Sequence, residues 1–494
     1  MYQPSFEQFQ SLAKSGNTIP VYRVIMADLE TPVSAFMKIA RDDPKAFLLE
    51  SVEQGERLGR YSFIGCNPPT TFWCRDDRVG CEFEGKHEEY TLENGQDPLS
   101  HFKSFLAKHQ TVPLEGLPPF TGGLVGFLSY EMTGHFENLT YNNRDDYQLP
   151  DAVFYFADTV VAFDHFNRTM MVISNAYIEG DEQKAYQTAV QQIDAVVERL
   201  RTTLPPVSFG AGLEKAATAK SNWEQEPFRE AVERCKEYIR AGDIFQVVIG
   251  LRNEIEIQSD ALDLYRALRR VNPSPYTFFF RYGNAALVGA SPEILVRLNH
   301  REVTYRPIAG TRRRGRTSEE EAFMEKELIN DPKEQAEHIM LVDLGRNDIG
   351  RVCDFHSVKV SDLMYVERYS HVMHLVSNVE GILKSGMDGF DLIRATFPAG
   401  TVTGAPKIRA MEIIEELEPT RRGPYAGAVG WFGLSGDLDF CITLRTILVK
   451  DQVAYVQAGA GIVADSQPAL EFKEVMNKSG AMLRAIEMAE CANE

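Results

Sequence analysis

Two stretches of this 494-residue chain place carboxylates at helical spacing. In Asp331-Pro332-Lys333-Glu334-Gln335-Ala336-Glu337-His338, Asp331 suits an N-cap, Pro332 the first helical position, and Glu334 the closing side chain of a capping box. Glu334, Glu337 and His338 then share one face at i, i+3 and i+4. Near the C-terminus Glu471, Glu474 and Lys478 form a second stripe of this kind. Each alone reads as a solvent-facing ion pair, and Glu474 with Lys478 has the i, i+4 spacing that favours one. The surroundings change the reading. They hold glycine–threonine turns at Gly310-Thr311, Gly400-Thr401 and Thr403-Gly404, and a Gly459-Ala460-Gly461 loop. Arg445 sits mid-strand in an apolar run, where a lone guanidinium needs an anionic partner. Carboxylates for a hard cation, with arginine and backbone amides for carboxylates, make a site for a small acidic metabolite held with Mg2+.

The elements that must position these residues fall into two regions. Residues 203–222 (TLPPVSFGAGLEKAATAKSN) read as a linker between an N-terminal region, 1–202, and a C-terminal region, 223–490. Before the linker, β-type runs dominate at 46–51, 151–163 and 169–174, the last two joined by a DHFNR hairpin loop. A helix is predicted at 182–202, with Ile193, Val196, Val197 and Leu200 on one face. After the linker come a helix over 226–241 closed by Gly242 and a hairpin turning at Gly283-Asn284. A meander follows at 428–433, 440–449 and 453–459, then a helix over 469–489. Hairpins and meanders, rather than regular βαβ alternation, predict an α+β fold with antiparallel sheets.

Composition excludes several classes. Lys plus Arg is 52 against 71 for Asp plus Glu, a net charge of −19, which disfavours nucleic acid and anionic membranes as partners. At 44% apolar residues the chain is not disordered, and no apolar run approaches the length of a membrane span. The start, MYQPSFEQFQ, lacks the layout of a secretion signal. Seven cysteines without a C-x-x-C pair read as reduced thiols of a cytoplasmic protein. Two nucleotide motifs fail. Gly459–Ala464 fits G-x-G-x-x-A, but Asp465-Ser466-Gln467-Pro468 stands where a helix should open. Gly400–Lys407 lacks one residue and the adjacent lysine of a phosphate-binding loop. The basic cluster Arg312-Arg313-Arg314-Gly315-Arg316 reads as a solvated loop balanced by Glu319, Glu320 and Glu321.

Six segments, in order, resemble the chorismate-utilising enzymes, and among them the component I family of anthranilate synthases. They are Pro307–Thr311 (PIAGT), Ala336–Asp348 (AEHIMLVDLGRND), Tyr369–His374 (YSHVMH), Gly400–Lys407 (GTVTGAPK), Pro424–Gly430 (PYAGAVG) and Gln457–Gly461 (QAGAG). The resemblance covers most of the chain. It implies large, mainly antiparallel sheets in a two-layer, sandwich-like core with helices packed outside. It also implies addition of ammonia to chorismate as a ring hydroxyl departs, then loss of pyruvate to leave anthranilate. Because hydroxide leaves poorly, a proton donor is required, and the family's Ser-Pro-Glu segment assigns it to Glu293.

The same resemblance makes Glu337 and Glu474 the Mg2+ ligands and Gly310, Thr311, Tyr425, Arg445, Gly459, Ala460, Gly461 and Lys478 the substrate-binding set. His374 matches the position linked to pyruvate elimination, its alternative being a buried, satisfied imidazole; Thr403 and Lys407 are expected against substrate at a helix start. Gln246 stands where isochorismate-forming relatives carry a water-activating lysine, and Ala309 where aminodeoxychorismate synthases carry one; both substitutions favour anthranilate. No cysteine lies in a glutaminase elbow, so a separate glutamine amidotransferase subunit (component II) is expected in a hetero-oligomer, supplying ammonia. Leu48-Leu49-Glu50-Ser51 and Asn272-Pro273-Ser274-Pro275-Tyr276 resemble the family's tryptophan feedback site, assigning Ser51, Pro275, Tyr276 and Thr277 to it; Thr277 departs from some relatives. The alternatives are a synthase that makes aminodeoxychorismate or stops at the aminodeoxyisochorismate stage, and a non-catalytic tryptophan-binding regulatory subunit.

Overall fold

The computed structural model describes residues 1–51, 59–83, 85–93, 96–205, 209–369 and 372–492; Ser370 and His371 of the YSHVMH segment and 206–208 of the linker lie outside the described residues. Side chains alternate across each central strand, as the two-residue strand period requires. In Lys45–Glu50, Phe47 faces a core between two sheets while Leu48 faces helices. In Tyr276–Tyr282, Phe278 and Phe280 face inward and Phe279 outward. Val125 and Phe127 of the second sheet meet the same inner core, while Leu124 and Leu128 face the other way. Both strand faces are therefore apolar, and the architecture is α+β: two 12-stranded antiparallel sheets, face to face, with helices on the outer surfaces.

Among the described residues, four times an extended run leaves one sheet and enters the other. Tyr61–Cys66 crosses to Thr70–Arg75 through Asn67-Pro68-Pro69, with Asn67 at φ +47°. Ala152–Ala157 crosses to Thr159–Asp164 at Asp158. Ala285–Ser291 crosses to Ile294–Asn299 at Pro292-Glu293. Leu438–Ile442 crosses to Thr446–Lys450 at Thr443-Leu444-Arg445. Two expectations are corrected by these breaks. The runs 151–163 and 440–449 are each two strands in different sheets, and the expected C-terminal meander is divided between sheets. Arg445 is not mid-strand: it occupies the break at φ +47°, where the chain turns to change sheets.

The regions on either side of 203–222 share both sheets. Glu50 pairs with Thr277 in the first, and Gly126 with Gly430 in the second. Several local expectations are met: Asp181 caps Glu182–Leu200, Gly242 ends Gln225–Ala241 at φ +83°, and Pro468–Cys491 closes the chain. Among the described residues no helix is long and apolar enough to cross a membrane, and the seven cysteines are free thiols. The expected solvated loop is corrected in part: Arg312 and Arg313 end the strand Ile308–Arg313, Arg312 pairs with Glu327, Asp331 and Glu334, and only Arg313 and Arg314 are balanced by Glu320 and Glu321.

Crossings free backbone groups from their ladders, and Ser291 answers one of them: its fully buried hydroxyl donates to the Ile442 carbonyl at 2.6 Å. Ser291→Ala should therefore lower unfolding free energy by about 0.5–1.5 kcal/mol, read as a drop in the urea midpoint, because the Ile442 carbonyl loses one of two donors and keeps the Leu444 N–H at 2.8 Å.

Candidate active site

The third and fourth crossings lie side by side. Ile442 N–H donates to the Glu293 carbonyl (3.0 Å) and Ala290 N–H to the Arg445 carbonyl (3.2 Å). The two bends thus bring Glu293 and Arg445 into one region. Glu293 is 5% exposed, and burial pushes its carboxyl up to about 8, although the Ile308 N–H and the Thr401 hydroxyl beside it favour the ionised form. It is a carboxylic acid that keeps its proton at neutral pH. Arg445 is held below its ordinary pKa by burial. Its Nη1 donates to Asn272 Oδ1 at 3.1 Å, and among the described residues no carboxylate lies within ion-pair distance. An unneutralised, mostly buried guanidinium is a receptor for an anion.

His374 reaches this region from the strand Val372–Ile382, opposite Thr311. The strand Ile308–Arg313 bulges between Ala309 and Thr311, with Gly310 at φ +65°, so Gly310-Thr311 is a bulged strand segment rather than a free turn. His374 Nδ1 donates to the Gly310 carbonyl at 2.9 Å and lies 3.0 Å from Thr311 Oγ1. Because a carbonyl only accepts, this bond puts the proton on Nδ1 and leaves Nε2 as the basic nitrogen. Burial lowers the ring's pKa, and Arg445 acts in the same direction against the Gly310 carbonyl, so the imidazole is neutral. The satisfied-imidazole reading and a proton-accepting role are both compatible with this geometry.

The two carboxylate stripes border the same space. Asp331 caps Pro332–Gly350 through the N–H groups of Lys333 and Glu334. Glu334 does not serve the capping box: it pairs with Arg312 Nη1 at 2.9 Å, and a side chain at position 310 would come within 2.9 Å of its Oε2. Burial raises the Glu337 pKa, opposed by Gln246 Nε2, which donates to Glu337 Oε1 at 3.1 Å. Glu471 is buried and its pKa likewise raised, chiefly by burial. Glu474 forms the expected i, i+4 pair with Lys478 at 2.7 Å, both exposed. Lys478 also donates to the Gly459 carbonyl at 3.1 Å. The charges of Lys333 and Lys478 reach both Glu337 and Glu471, which ties the two helices to one site. Among the described residues no cluster of three or more His, Cys, Asp or Glu is set to cage a metal. Two carboxylates, completed by water, are the oxygen-only set that Mg2+ accepts, and the raised Glu337 pKa marks a carboxylate that a cation would stabilise.

The remaining wall is strand, not loop. Gly459, Ala460 and Gly461 lie within Val453–Ile462, opposite Gly250, Ile249 and Val248, because their backbone groups complete a ladder. A Cβ on Gly459 would stand 2.8 Å from the Tyr425 hydroxyl, and one on Gly461 2.6 Å from Gln246 Nε2. The glycines let those two side chains lie on the strand. Burial pushes the Tyr425 hydroxyl up to about 12. Two expected substrate contacts are committed elsewhere: Thr403 Oγ1 donates to the Ala399 carbonyl (3.0 Å), and Lys407 Nζ holds the buried Asp348 at 2.6 Å. Lys407 is held in an ion pair, since an unpaired Asp348 would be expensive to bury. Glu334 and Thr401, expected on the carboxylate stripe and in a glycine–threonine turn, are found in this region; Asn272, expected only in the feedback segment, also joins it through Arg445, and no local signal marks that bond.

Between the sheets lies a separate cavity of about 320 Å³ whose lining includes Ser51, Pro275, Tyr276 and Thr277. Its polar wall is an ordered triad: the Tyr276 hydroxyl donates to Asp439 Oδ1 (2.9 Å) and accepts from Arg297 Nη2 (2.9 Å), and Arg297 Nε donates to Asp439 Oδ2 (2.8 Å). Phe63 and Trp431 add apolar lining. Asn272, three residues before Pro275 in the segment that enters this wall, bonds to the first site: Nδ2 donates to the Ala290 carbonyl and Ser274 Oγ (3.3 Å each), while Oδ1 holds Arg445.

Residues 45–484 match the family model for chorismate binding enzymes. The chain is 44% identical over 495 residues to anthranilate synthase component 1 of Acetivibrio thermocellus, covering 99% of each chain. It superposes on the crystal structure of anthranilate synthase component I from Streptococcus pneumoniae with a TM-score of 0.77 and 36% identity, covering 93% of this chain and 98% of that one. The fold also matches the menaquinone-specific isochorismate synthase of Escherichia coli, with a TM-score of 0.71, 19% identity and coverage of 97% and 98%.

Glu293 makes stability depend on pH. Its folded pKa is about 8 against an ordinary 4.5, so its contribution is complete below about 4.5 and is lost as pH rises through 8. Glu293→Gln should match the parent's urea midpoint near pH 4 and exceed it by a margin that grows up to pH 8; a constant difference across that range would show that the carboxyl ionises normally.

Proposed function

The chain belongs to the chorismate-binding enzyme family, and from that membership we propose that it converts chorismate and ammonia to anthranilate and pyruvate with Mg2+. The observation that carries this reading is a protonated, buried Glu293 on a crossing bonded to the one that carries Arg445, a half-buried guanidinium without a carboxylate partner among the described residues. Chorismate is a dianion whose departing hydroxyl needs a proton, and these two groups supply the proton and one of the countercharges.

In this reading Glu293 protonates the hydroxyl. Arg445 forks onto the enolpyruvyl carboxylate, and Gly310-Thr311, Tyr425 and Gly459–Gly461 bound the ring through backbone groups and a hydroxyl. Glu337 and Glu474 would hold Mg2+, which would supply positive charge to neutralise the ring carboxylate. Lys478 divides its charge between Glu474 and the substrate side. Gln246 orients Glu337 and, being a neutral amide, does not deprotonate water, which leaves ammonia as the nucleophile. His374 Nε2, unprotonated, accepts the ring proton during aromatisation. Thr403 acts by holding the 399–403 turn.

Ammonia enters from a glutamine amidotransferase subunit, component II, in a hetero-oligomer that works in the cytoplasm at the entry to tryptophan synthesis. Tryptophan, an amphiphile of suitable size, occupies the inter-sheet cavity with Ser51, Pro275, Tyr276 and Thr277 around it. Feedback passes through Asn272 and the Cys441–Arg445 segment to the substrate arginine, which requires a coupling of about 1–3 kcal/mol.

The chain incubated with chorismate, Mg2+ and ammonium salt should release fluorescent anthranilate and pyruvate in equal amounts, and Glu293→Gln should lower kcat by about 10²–10⁴-fold. An amino intermediate without pyruvate, or unchanged chorismate, would overturn the reading. Ser51→Phe should raise the tryptophan concentration for half-inhibition by about tenfold or more while kcat stays within about twofold, since the ring fills the cavity and not the reacting site. Equal inhibition of both proteins would remove Ser51 from the feedback site.

A further inference from the structure

One buried ion pair touches three walls of the reacting site without facing it. Arg422 and Glu418 are 1% and 4% exposed. Arg422 Nε donates to Glu418 Oε2 at 2.9 Å and Nη2 to Oε1 at 2.5 Å. The guanidinium's other bonds leave the pair. Nη1 donates to the Val402 carbonyl and Nη2 to the Val248 carbonyl, each at 2.8 Å. Its plane lies over the Tyr425 ring at 5.6 Å and the Tyr130 ring at 4.7 Å. Glu418 Oε1 in turn accepts the Gly250 N–H at 2.7 Å.

Each of these partners is a short step from a site residue. Val402 ends the Gly400–Val402 turn, which includes Thr401 beside Glu293. Val248 and Gly250 belong to the strand that begins at Gln246, the donor to Glu337. Tyr425 packs its hydroxyl against Gly459. The turn that sets Thr401 beside the acid, the strand that carries the amide facing Glu337, and Tyr425 are three walls of the site, and one planar fork bonds or stacks on all three. Lysine could not do this, because its ammonium has neither the plane nor the fixed fork.

We propose that Arg422, held by Glu418, is a positioning residue for the reaction: it sets the spacing of the 400–403 turn, the 246–250 strand and Tyr425, and so the distance between proton donor and substrate. The assignment rests on the lyase reading above. Fully buried ion pairs add little net stability over apolar side chains of like size, so the pair's geometric role can be separated from a folding role. A misplacement of site walls by about 1 Å lowers turnover by about 10²-fold even when the chemistry lies elsewhere.

The test replaces both partners, Glu418→Met with Arg422→Met, so that no buried charge is stranded, and adds Arg422→Lys as a second variant. Urea midpoint and circular dichroism report folding; kcat and KM for chorismate are measured with ammonium as nitrogen donor. The double variant should stay folded, with a urea midpoint somewhat below the parent's because the Val402 and Val248 carbonyls and the Gly250 N–H each lose a partner, and should lose about 100-fold in kcat/KM, with the fall in kcat exceeding the rise in KM. Arg422→Lys should be folded and lose about tenfold or more. Parental kinetics in a folded variant, or activity lost only in proportion to the unfolded fraction, would overturn the proposal; if the double variant does not fold, Arg422→Lys decides by the same criteria. Failure of the parent itself to turn over chorismate would overturn the lyase reading and this proposal together, an outcome distinct from a variant that matches an active parent.

Discussion

A β-strand that changes sheets must abandon its ladder for a few residues, and those residues must find other partners. Two such interruptions occur side by side here, and they satisfy one another: Ser291 bonds Ile442, Ile442 bonds Glu293, and Ala290 bonds Arg445. The site depends on that mutual repair. Within a regular strand, Glu293 and Arg445 would each point alternately into an apolar core or outward to helices. At the bends they are released from alternation, and one acid and one base of fixed charge are set against backbone groups that no ladder uses.

Burial then does opposite things to the two charges with one consequence. It keeps the proton on Glu293 and makes Arg445 an uncomfortable cation, so the region lacks negative charge although the chain as a whole carries −19. The carboxylates that do approach, Glu337 and Glu474, have Gln246, Lys478 and the space between two helices to share with a cation. Net charge reports on the exterior and on nucleic acid as a partner. A dianion responds to the local arrangement.

Much of this was legible in the residues. Asp331-Pro332 marks a helix start, Gly242 a helix end and Gly283-Asn284 a hairpin, because local backbone chemistry decides those features whatever surrounds them. The crossings at Asp158 and Thr443–Arg445 were not legible. Strands buried on both faces have no polar alternation to lose, so a polar residue such as Asp158 or Arg445 inside an apolar run reads as an interruption within one strand rather than as a change of sheet. Glu334 suited a cap and is drawn instead to Arg312, a partner brought by a strand rather than by its own helix. Lys407 looked like a free cation because Asp348, which neutralises it, is distant in sequence. Arg422, in Pro419-Thr420-Arg421-Arg422-Gly423, has the appearance of a surface loop; only the packed tyrosines and Glu418 reveal its burial. Local signals were read correctly where local forces decide, and long-range pairs were invisible for the same reason.

Sharing both sheets between the two ends of the chain has a consequence for how the protein is made. Glu50 meets Tyr265, 215 residues further on, and Glu131 meets Arg422 after 291. A ribosome adding about 5–20 residues per second therefore leaves the first strands without their neighbours for on the order of ten seconds to a minute. Throughout that interval Lys45–Glu50 and Gly123–Leu128 present open, apolar edges of the kind that pair with whatever strand arrives first. The arrival of the C-terminal strands, more than the departure of the first half from the ribosome, is what ends that exposure.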